Sequence, residues 1–374
     1  MNQQLKKLMI KKINKPGLYV HIPFCKNICS YCNFCKVLYS TKFSSKYLTC
    51  LKKELEKYHK YCFDSIYIGG GTPSSLSMEE LQFLFDILSD YQSENCSITI
   101  EINPDIEREK ILLLKKNNVN RISMGVQSFN KDILALINRN SDFSAIDELI
   151  KYIKDNGIED INIDLIYGFN NQNINSLKED LDQFISLNPT HISTYCLQLE
   201  DSTLLSINNY QELEEDKVAE LYNFIVNYLE KHGYYRYEVS NFSKIGYESK
   251  HNLIYWNNDE YGGVGLNASS YIDDKRMTNT KNLTDYLNGK YEYYEENLNL
   301  EDKEFYYIML GLRKEKGISL DEYELLFNKD FISKYQDKID KLIKLDDIEI
   351  INKYLKVKKD KLFILDYIIR IILY

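Results

Sequence analysis

The chain has 374 residues, 44% hydrophobic and 28% charged, the composition of a globular protein rather than a disordered, collagen-like or disulfide-stapled one. A formal net charge of −9 and a pI near 5.3 argue against a broad nucleic-acid footprint. No stretch approaches the ~20 apolar residues of a membrane span, since the most apolar run, 362–374, is broken by Asp366 and Arg370.

Residues 1–15 carry lysines but no apolar core and no small-residue cleavage site, so no secretory leader and a cytoplasmic location are expected. From residue 18 onward, β-rich runs alternate with amphipathic ones. Strands are predicted at 18–22, 65–68, 97–102, 121–126, 161–167 and 191–197, and helices at 43–60, 77–91, 105–117, 142–156 and 174–187. Tyr47, Leu48, Leu51, Leu55 and Tyr58 make one apolar stripe, and Ser77 followed by Glu80 is a capping box. Six strand-then-helix units predict an α/β fold, a parallel sheet with right-handed crossovers curled as a partial (β/α)6-type barrel. The chemically informative residues all fall at or near the C-terminal ends of these strands, where such barrels gather their chemistry.

Near residue 210 the character changes. A long helix over 211–232 ends at Gly233, a Tyr/Gly/Asn-rich stretch follows to 271, and 301–313 is again helical. A hairpin-like turn at Lys359-Asp360 and a last helix close the chain. The expected organisation is a barrel core over 1–210 and a smaller, mostly α-helical domain over 211–374.

Cys25, Cys29, Cys32 and Cys35 are clustered, while Cys50, Cys62, Cys96 and Cys196 are scattered through core-like segments. In a cytosolic chain such a cluster suggests metal or redox chemistry rather than disulfides. One short loop carrying Cys25, Cys29 and Cys32 can wrap a single inorganic core. Iron–sulfur clusters are usually held by four thiolates, and three would leave one iron open to a substrate. Cys35 is either a fourth ligand or a bystander. The plainer reading, a zinc knuckle, lacks a second Cys or His pair at zinc spacing. Arginine is scarce beside lysine, which makes each arginine a candidate for a place that wants a planar fork of donors.

The run Tyr19-Val20-His21-Ile22-Pro23-Phe24-Cys25, with Cys29, Cys32 and Phe34, resembles the opening of the radical S-adenosylmethionine (SAM) superfamily and, within it, the coproporphyrinogen oxidase-like branch and its heme chaperones. The resemblance continues through Gly69–Ser74, Glu101–Pro104, Arg121–Phe129, Asp164–Gly168, His251–Trp256 and Gly311-Leu312-Arg313, nearly the whole chain. It implies a [4Fe–4S] cluster on Cys25, Cys29 and Cys32, and a SAM site with Gly70, Gly71 and Thr72 at the amino group. Glu101, Gln127, Arg139 and Asp164 would complete that site. Tyr19 and Tyr31 would flank cluster and adenine. His251, followed by aromatics and the lone tryptophan, would bind heme. His21 is read as structural, and His59, His191 and His232 carry no spacing signal. Two departures stand out: Phe169-Asn170-Asn171-Gln172 where the family favours Leu-Pro-Gly-Gln, and Asn267 where it favours glycine.

The resemblance implies a heme chaperone with heme and a heme-accepting protein as partners, no nucleic acid and no integral membrane segment. Peripheral membrane contact and a dimer stay open. The alternative is an oxygen-independent coproporphyrinogen III oxidase, but that type usually has an extension ahead of its cluster loop and a Cys-x-Cys ending to it, where this chain reads Cys32-Asn33-Phe34. A third reading, an electron-transfer protein with Cys35 as fourth ligand, would leave the SAM motifs idle.

Overall fold

The computed structural model describes residues 15–374; the N-terminal stretch read above for a leader lies, up to residue 14, outside them. Six strands run in parallel and pair in chain order: β1 (Gly17–Ile22), β2 (Phe63–Gly70), β3 (Gln92–Ile102), β4 (Arg121–Gln127), β5 (Asp160–Tyr167) and β6 (His191–Cys196). Their side chains are buried almost end to end, as expected of parallel strands covered by crossover helices. Those helices are α1 (Thr41–Leu55), α2 (Met78–Leu88), α3 (Arg108–Lys116), α4 (Lys131–Leu136), α5 (Phe143–Asp155) and α6 (Ile174–Ser186).

Local chemistry sets where the helices begin. The Ser77–Glu80 capping box is formed in both directions, and Asp142 accepts a hydrogen bond from the Ala145 N–H at 2.9 Å. α3 starts at Arg108 rather than 105, because the residues after Pro104 first make a turn in which the Ile106 N–H reaches the Asn103 carbonyl. α4 was not foreseen; the side chain of Asn130 caps it by accepting from the Asp132 and Ile133 N–H groups.

The chain beyond residue 210 does not leave this sheet. After α7 (Glu215–Lys231), β7 (Tyr235–Arg236) and β8 (Asn241–Ser243) add antiparallel to the β6 edge. The short α8 (Lys250–Trp256) then leads to β9 (Tyr261–Val264), which pairs parallel with β1 at the opposite edge. β10 (Ser269–Ile272), β11 (Lys275–Asn279) and β12 (Glu292–Asn297) continue outward as an antiparallel meander, and the full order is β12-β11-β10-β9-β1-β2-β3-β4-β5-β6-β8-β7. The change of character near residue 210 is thus a change from parallel units to additions at both edges of one sheet. Helices dominate from residue 300, beginning with α9 (Leu300–Gly311), beside a small sheet of Ile318–Ser319, Ile348–Ile351 and Tyr354–Val357.

One expectation is corrected here. The hairpin turn sits at Asn352 and Lys353, both with positive φ (50° and 64°), whereas residues from Lys359 wind into a 3-10 turn ahead of the last helix, Leu365–Leu373. Two adjacent left-handed residues fit the twist of a tight hairpin, and Asn-Lys lacks the usual Asn-Gly signature. Asn267 does hold a left-handed conformation, φ 58°, so the loop survives the loss of the family's glycine.

The β9–β11 addition is riveted to the core by Glu54 of α1, buried at 2% exposure. Its carboxylate accepts from the Gly265 N–H (2.8 Å), Tyr286 Oη (2.7 Å), Asn279 Nδ2 (2.7 Å) and Lys57 Nζ (2.8 Å). Glu54→Ala orphans several buried donors at once and should lower stability by about 3 kcal/mol. A urea midpoint within error of the parent would refute this role.

Candidate functional site

At the C-terminal ends of the strands lies a cavity of about 700 Å³. Its walls hold Cys25, Cys29, Cys32, Tyr31, Gly70, Gly71, Thr72, Glu101, Gln127, Arg139 and Asp164, brought together from β2, β3, β4 and β5, the loop after β1 and the turn after α4. Tyr19 and His251, the other two residues expected at the site, are not among its walls.

The cysteine loop is closed at its base. Phe24–Cys25 and Val37–Leu38 pair as a short parallel bridge, with the Val37 N–H on the Pro23 carbonyl at 2.8 Å and the Tyr39 N–H on the Cys25 carbonyl at 2.9 Å. Its tip is pinned from outside: Ser30 N–H bonds the Ile137 carbonyl, and Leu205 N–H bonds the Ser30 carbonyl. Tyr31 packs against a separate apolar cluster that includes Ile133, Ile137 and Phe169.

The glycines beside this loop are sterically required. Gly70 has φ +116°, and a Cβ there would lie 2.6 Å from the His21 ring. A Cβ on Gly71 would lie 2.6 Å from the Pro23 carbonyl carbon. That closeness lets the Gly71 and Thr72 N–H groups bond the Ile22 and Phe24 carbonyls at 2.8 and 2.9 Å, placing the Thr72 hydroxyl 3.8 Å from the Cys25 sulfur.

Across the cavity, Arg139 Nε donates to the Cys29 sulfur at 3.2 Å and its Nη1 to the Gly125 carbonyl at 2.5 Å. A Cβ on Gly125 would crowd this guanidinium at 3.2 Å. Gln127, buried with φ 75°, sits at a register shift of β4 against β5. Buried Asp180 of α6 holds the turn that follows, accepting from Ser128 Oγ (2.5 Å) and the Phe129 N–H (2.7 Å).

Two carboxyls face the space. Glu101 accepts from Tyr67 Oη (2.8 Å) and the Gly70 N–H (3.0 Å), yet burial raises it to about 7. Asp164 accepts from Asn162 Nδ2 (2.8 Å) and is raised by burial to about 6. Burial likewise pushes the Cys25 thiol up to about 11, with the Thr72 hydrogen bond opposing it, and raises Cys32. A thiol held that high gives up its proton when a metal cation takes its place. Among the described residues no three His, Cys, Asp or Glu side chains converge on a point that a single ion could occupy. The three thiols border one cavity, and thiolates are the donors iron–sulfur clusters take. Cys35 does not line the cavity; its sulfur approaches the Lys281 carbonyl at 3.7 Å.

The remaining histidines are structural in their contacts. His21 bridges Tyr19 Oη (3.0 Å) and the Cys35 carbonyl (2.8 Å). His191 bridges Asn162 and Tyr237 beneath the cavity. His251 is 2% exposed, with Nδ1 on Ser65 Oγ (3.0 Å) and Nε2 on Tyr255 Oη (2.8 Å), and burial lowers it to about 3. Both ring nitrogens are taken, so heme ligation by His251 does not fit this arrangement. Its ring packs on Tyr67, centroids 5.3 Å apart, and Tyr67 in turn holds Glu101. Tyr19 stacks on the same Tyr67. Both residues thus stand behind the cavity wall.

Sequence reasoning missed Tyr67 and Asn162, whose signal was only their alternation with apolar neighbours on inward-facing strands. Arg313, of the Gly311-Leu312-Arg313 motif, also lines the cavity, and with it Leu362, Phe363, Leu365 and Asp366, which the sequence reasoning missed, complete it from far along the chain. Nothing local marks those four. In the departing loop, Gln172 Oε1 accepts from the Gly168 N–H at 2.8 Å and Phe169 is fully buried, so the turn closes without its Pro-Gly pair.

Residues 19–184 match the model of the radical SAM superfamily, and residues 298–360 that of the HemN C-terminal domain. The chain is 37% identical over 345 residues to the heme chaperone HemW of Lactococcus lactis, with 90% of each chain covered. Identity to the heme chaperone HemW of Bacillus subtilis is 34% over 341 residues, 87% of this chain and 88% of that one. The chain belongs to the HemW family of radical SAM proteins. Its fold is that of the Escherichia coli coproporphyrinogen III oxidase HemN, with a TM-score of 0.84 over 100% of this chain and 93% of that one at 22% identity. Membership of the superfamily implies a [4Fe–4S] cluster and SAM, and the donor set of the cavity fits both.

The two raised carboxyls predict a pH effect. A carboxyl whose folded pKa lies above its unfolded value contributes stability that is complete below pH ~4 and lost as pH climbs through the folded pKa. Without SAM, stability should therefore fall between pH ~4 and pH 7, by on the order of 2 kcal/mol or more. In Glu101→Gln, urea midpoints across that range should flatten; a slope equal to the parent's would show that Glu101 carries none of it.

Proposed function

We propose that the protein is a heme chaperone of the cytoplasm: it binds heme and hands it to an acceptor protein, with a [4Fe–4S] cluster on Cys25, Cys29 and Cys32 and SAM in the adjoining cavity. What supports this most is one continuous cavity bordered by three thiols, two raised carboxyls and the half-buried Arg139, in a chain that matches heme chaperones over nine-tenths of its length.

When bound, the cluster supplies one electron to SAM, a chemistry that belongs to the cofactor. The chain's own residues bind and orient. Three thiolates from one loop leave one iron of a four-iron core without a protein ligand. The edge of β2 at Gly70-Gly71-Thr72 brings backbone close to the amino end of the methionine moiety, and the Arg139 fork suits its carboxylate. Glu101 and Asp164 accept hydrogen bonds from ammonium or ribose hydroxyls, with Gln127 beside them. Tyr31 offers a flat apolar wall. Burial of the polar network of Asn162, His191 and Tyr237 below the cavity fixes these groups and keeps water out of the sheet interior.

An oxygen-independent coproporphyrinogen III oxidase would share this fold and these cofactors, and the two readings part at the product. Anaerobically reconstituted protein given SAM and coproporphyrinogen III, and separately titrated with heme, should bind heme tightly and release no decarboxylated product. Stoichiometric protoporphyrinogen would make the protein an oxidase instead. In Cys32→Ser, most of the iron and the brown absorbance should be lost after reconstitution. Parental iron content in that variant would sink the three-cysteine assignment.

A further inference from the structure

The far wall of the cavity plays no part in the SAM reading. It is made by Tyr222 and Val239 together with Arg313, Leu362, Phe363 and Asp366. Arg313 follows directly on α9, with its N–H on the Leu310 carbonyl, and its Nη2 donates to Asp366 Oδ1 at 2.7 Å. The pair is lopsided: the arginine side chain is 23% exposed and the aspartate 74%. A partner that stands in solvent is cheaply exchanged, since such ion pairs contribute ~0–1 kcal/mol. Asp366 is the second residue of the last helix, and its side chain stands largely in solvent. The same wall carries the apolar side chains of Leu362, Phe363 and Leu365, and the buried Glu238 carboxyl also feels the Arg313 charge. Phe363 keeps 37% of its surface exposed and Phe34, on the cysteine-loop side of the same cavity, 63%. Two aromatic faces left in water beside one cation with an exchangeable partner suit a flat, apolar molecule carrying a carboxylate at its rim.

Resting on the heme-chaperone reading, we propose that Arg313 binds a propionate of the tetrapyrrole, with Phe363 and Phe34 against its apolar face and Asp366 holding the guanidinium until the ligand arrives. A bidentate contact with the incoming carboxylate replaces the single bond to Asp366, and the ligand's own body shields it from water. No covalent change is involved; one carboxylate is exchanged for another.

The test uses heme and heme dimethyl ester, whose propionates are masked, each titrated into the reconstituted full-length protein and followed by the Soret band. Arg313→Gln should weaken heme binding about tenfold and leave the ester nearly unaffected. Asp366→Asn should tighten heme binding about threefold, a gain that damaged folding cannot mimic. Equal losses for heme and ester in Arg313→Gln, no loss of heme affinity in that variant, or weaker heme binding in Asp366→Asn would each overturn the assignment and leave the pair as a staple for the C-terminal segment. Parent protein that bound neither porphyrin would overturn the chaperone reading, and this inference with it.

Discussion

Two backbone hydrogen bonds, from Gly71 to Ile22 and from Thr72 to Phe24, join the end of β2 to the start of the cysteine loop. Most of the site depends on that contact. It forces glycine at 70 and 71, because side chains there would strike the His21 ring and the Pro23 backbone. It sets Thr72 beside the Cys25 sulfur and presents the same strand edge to the space that Glu101 borders from the next strand. The base of the loop is thereby held by backbone, and Thr72 and Arg139, the neighbours of the Cys25 and Cys29 thiols, come from outside it.

Beneath the cavity the interior is unusually polar for a parallel sheet. Asn162, His191, Ser193 and Tyr237 bond one another, while Tyr67 links Glu101 to the His251–Tyr255 pair by hydrogen bond and ring contact. Fully satisfied networks of this kind rigidify their surroundings, whereas a partly satisfied one destabilises. The carboxyls at the top of the network are the groups that burial leaves raised, which is where a cationic ligand would gain most by approaching.

Much of this was legible in the sequence, and the reason differs by element. The six parallel strands were clear because runs such as 121–126 place Ile122, Met124 and Val126 at alternate positions, and their crossover helices carry apolar stripes. The thiols and the glycine turn were clear because chemistry and sterics there tolerate few residue types. Where His251 sits could not be read from its motif, which names residues without showing where their nitrogens go; in the structure Ser65 and Tyr255 bond both. The arrival of β9 beside β1, and of Arg313 and Phe363 above the cavity, could not be read locally. Contacts that distant in the chain leave no periodicity or spacing behind them, and short strands such as Tyr261–Val264 carry too few residues to show one.

The placement of β9 also has a consequence for biosynthesis. β1 is made before every other strand of its sheet and its inner neighbour β2 comes next in the chain, but its outer neighbour is Tyr261–Val264. Until residue 264 has been made, β1 is an open sheet edge with Leu18, Val20 and Ile22 on it, the kind of edge that invites pairing with other chains. The late closure, locked by Glu54 onto Gly265, makes this a high-contact-order fold whose nascent form is exposed for most of its synthesis. Slower translation lengthens that exposure, and would be expected to cost more of the protein to aggregation than the stability of the finished fold suggests.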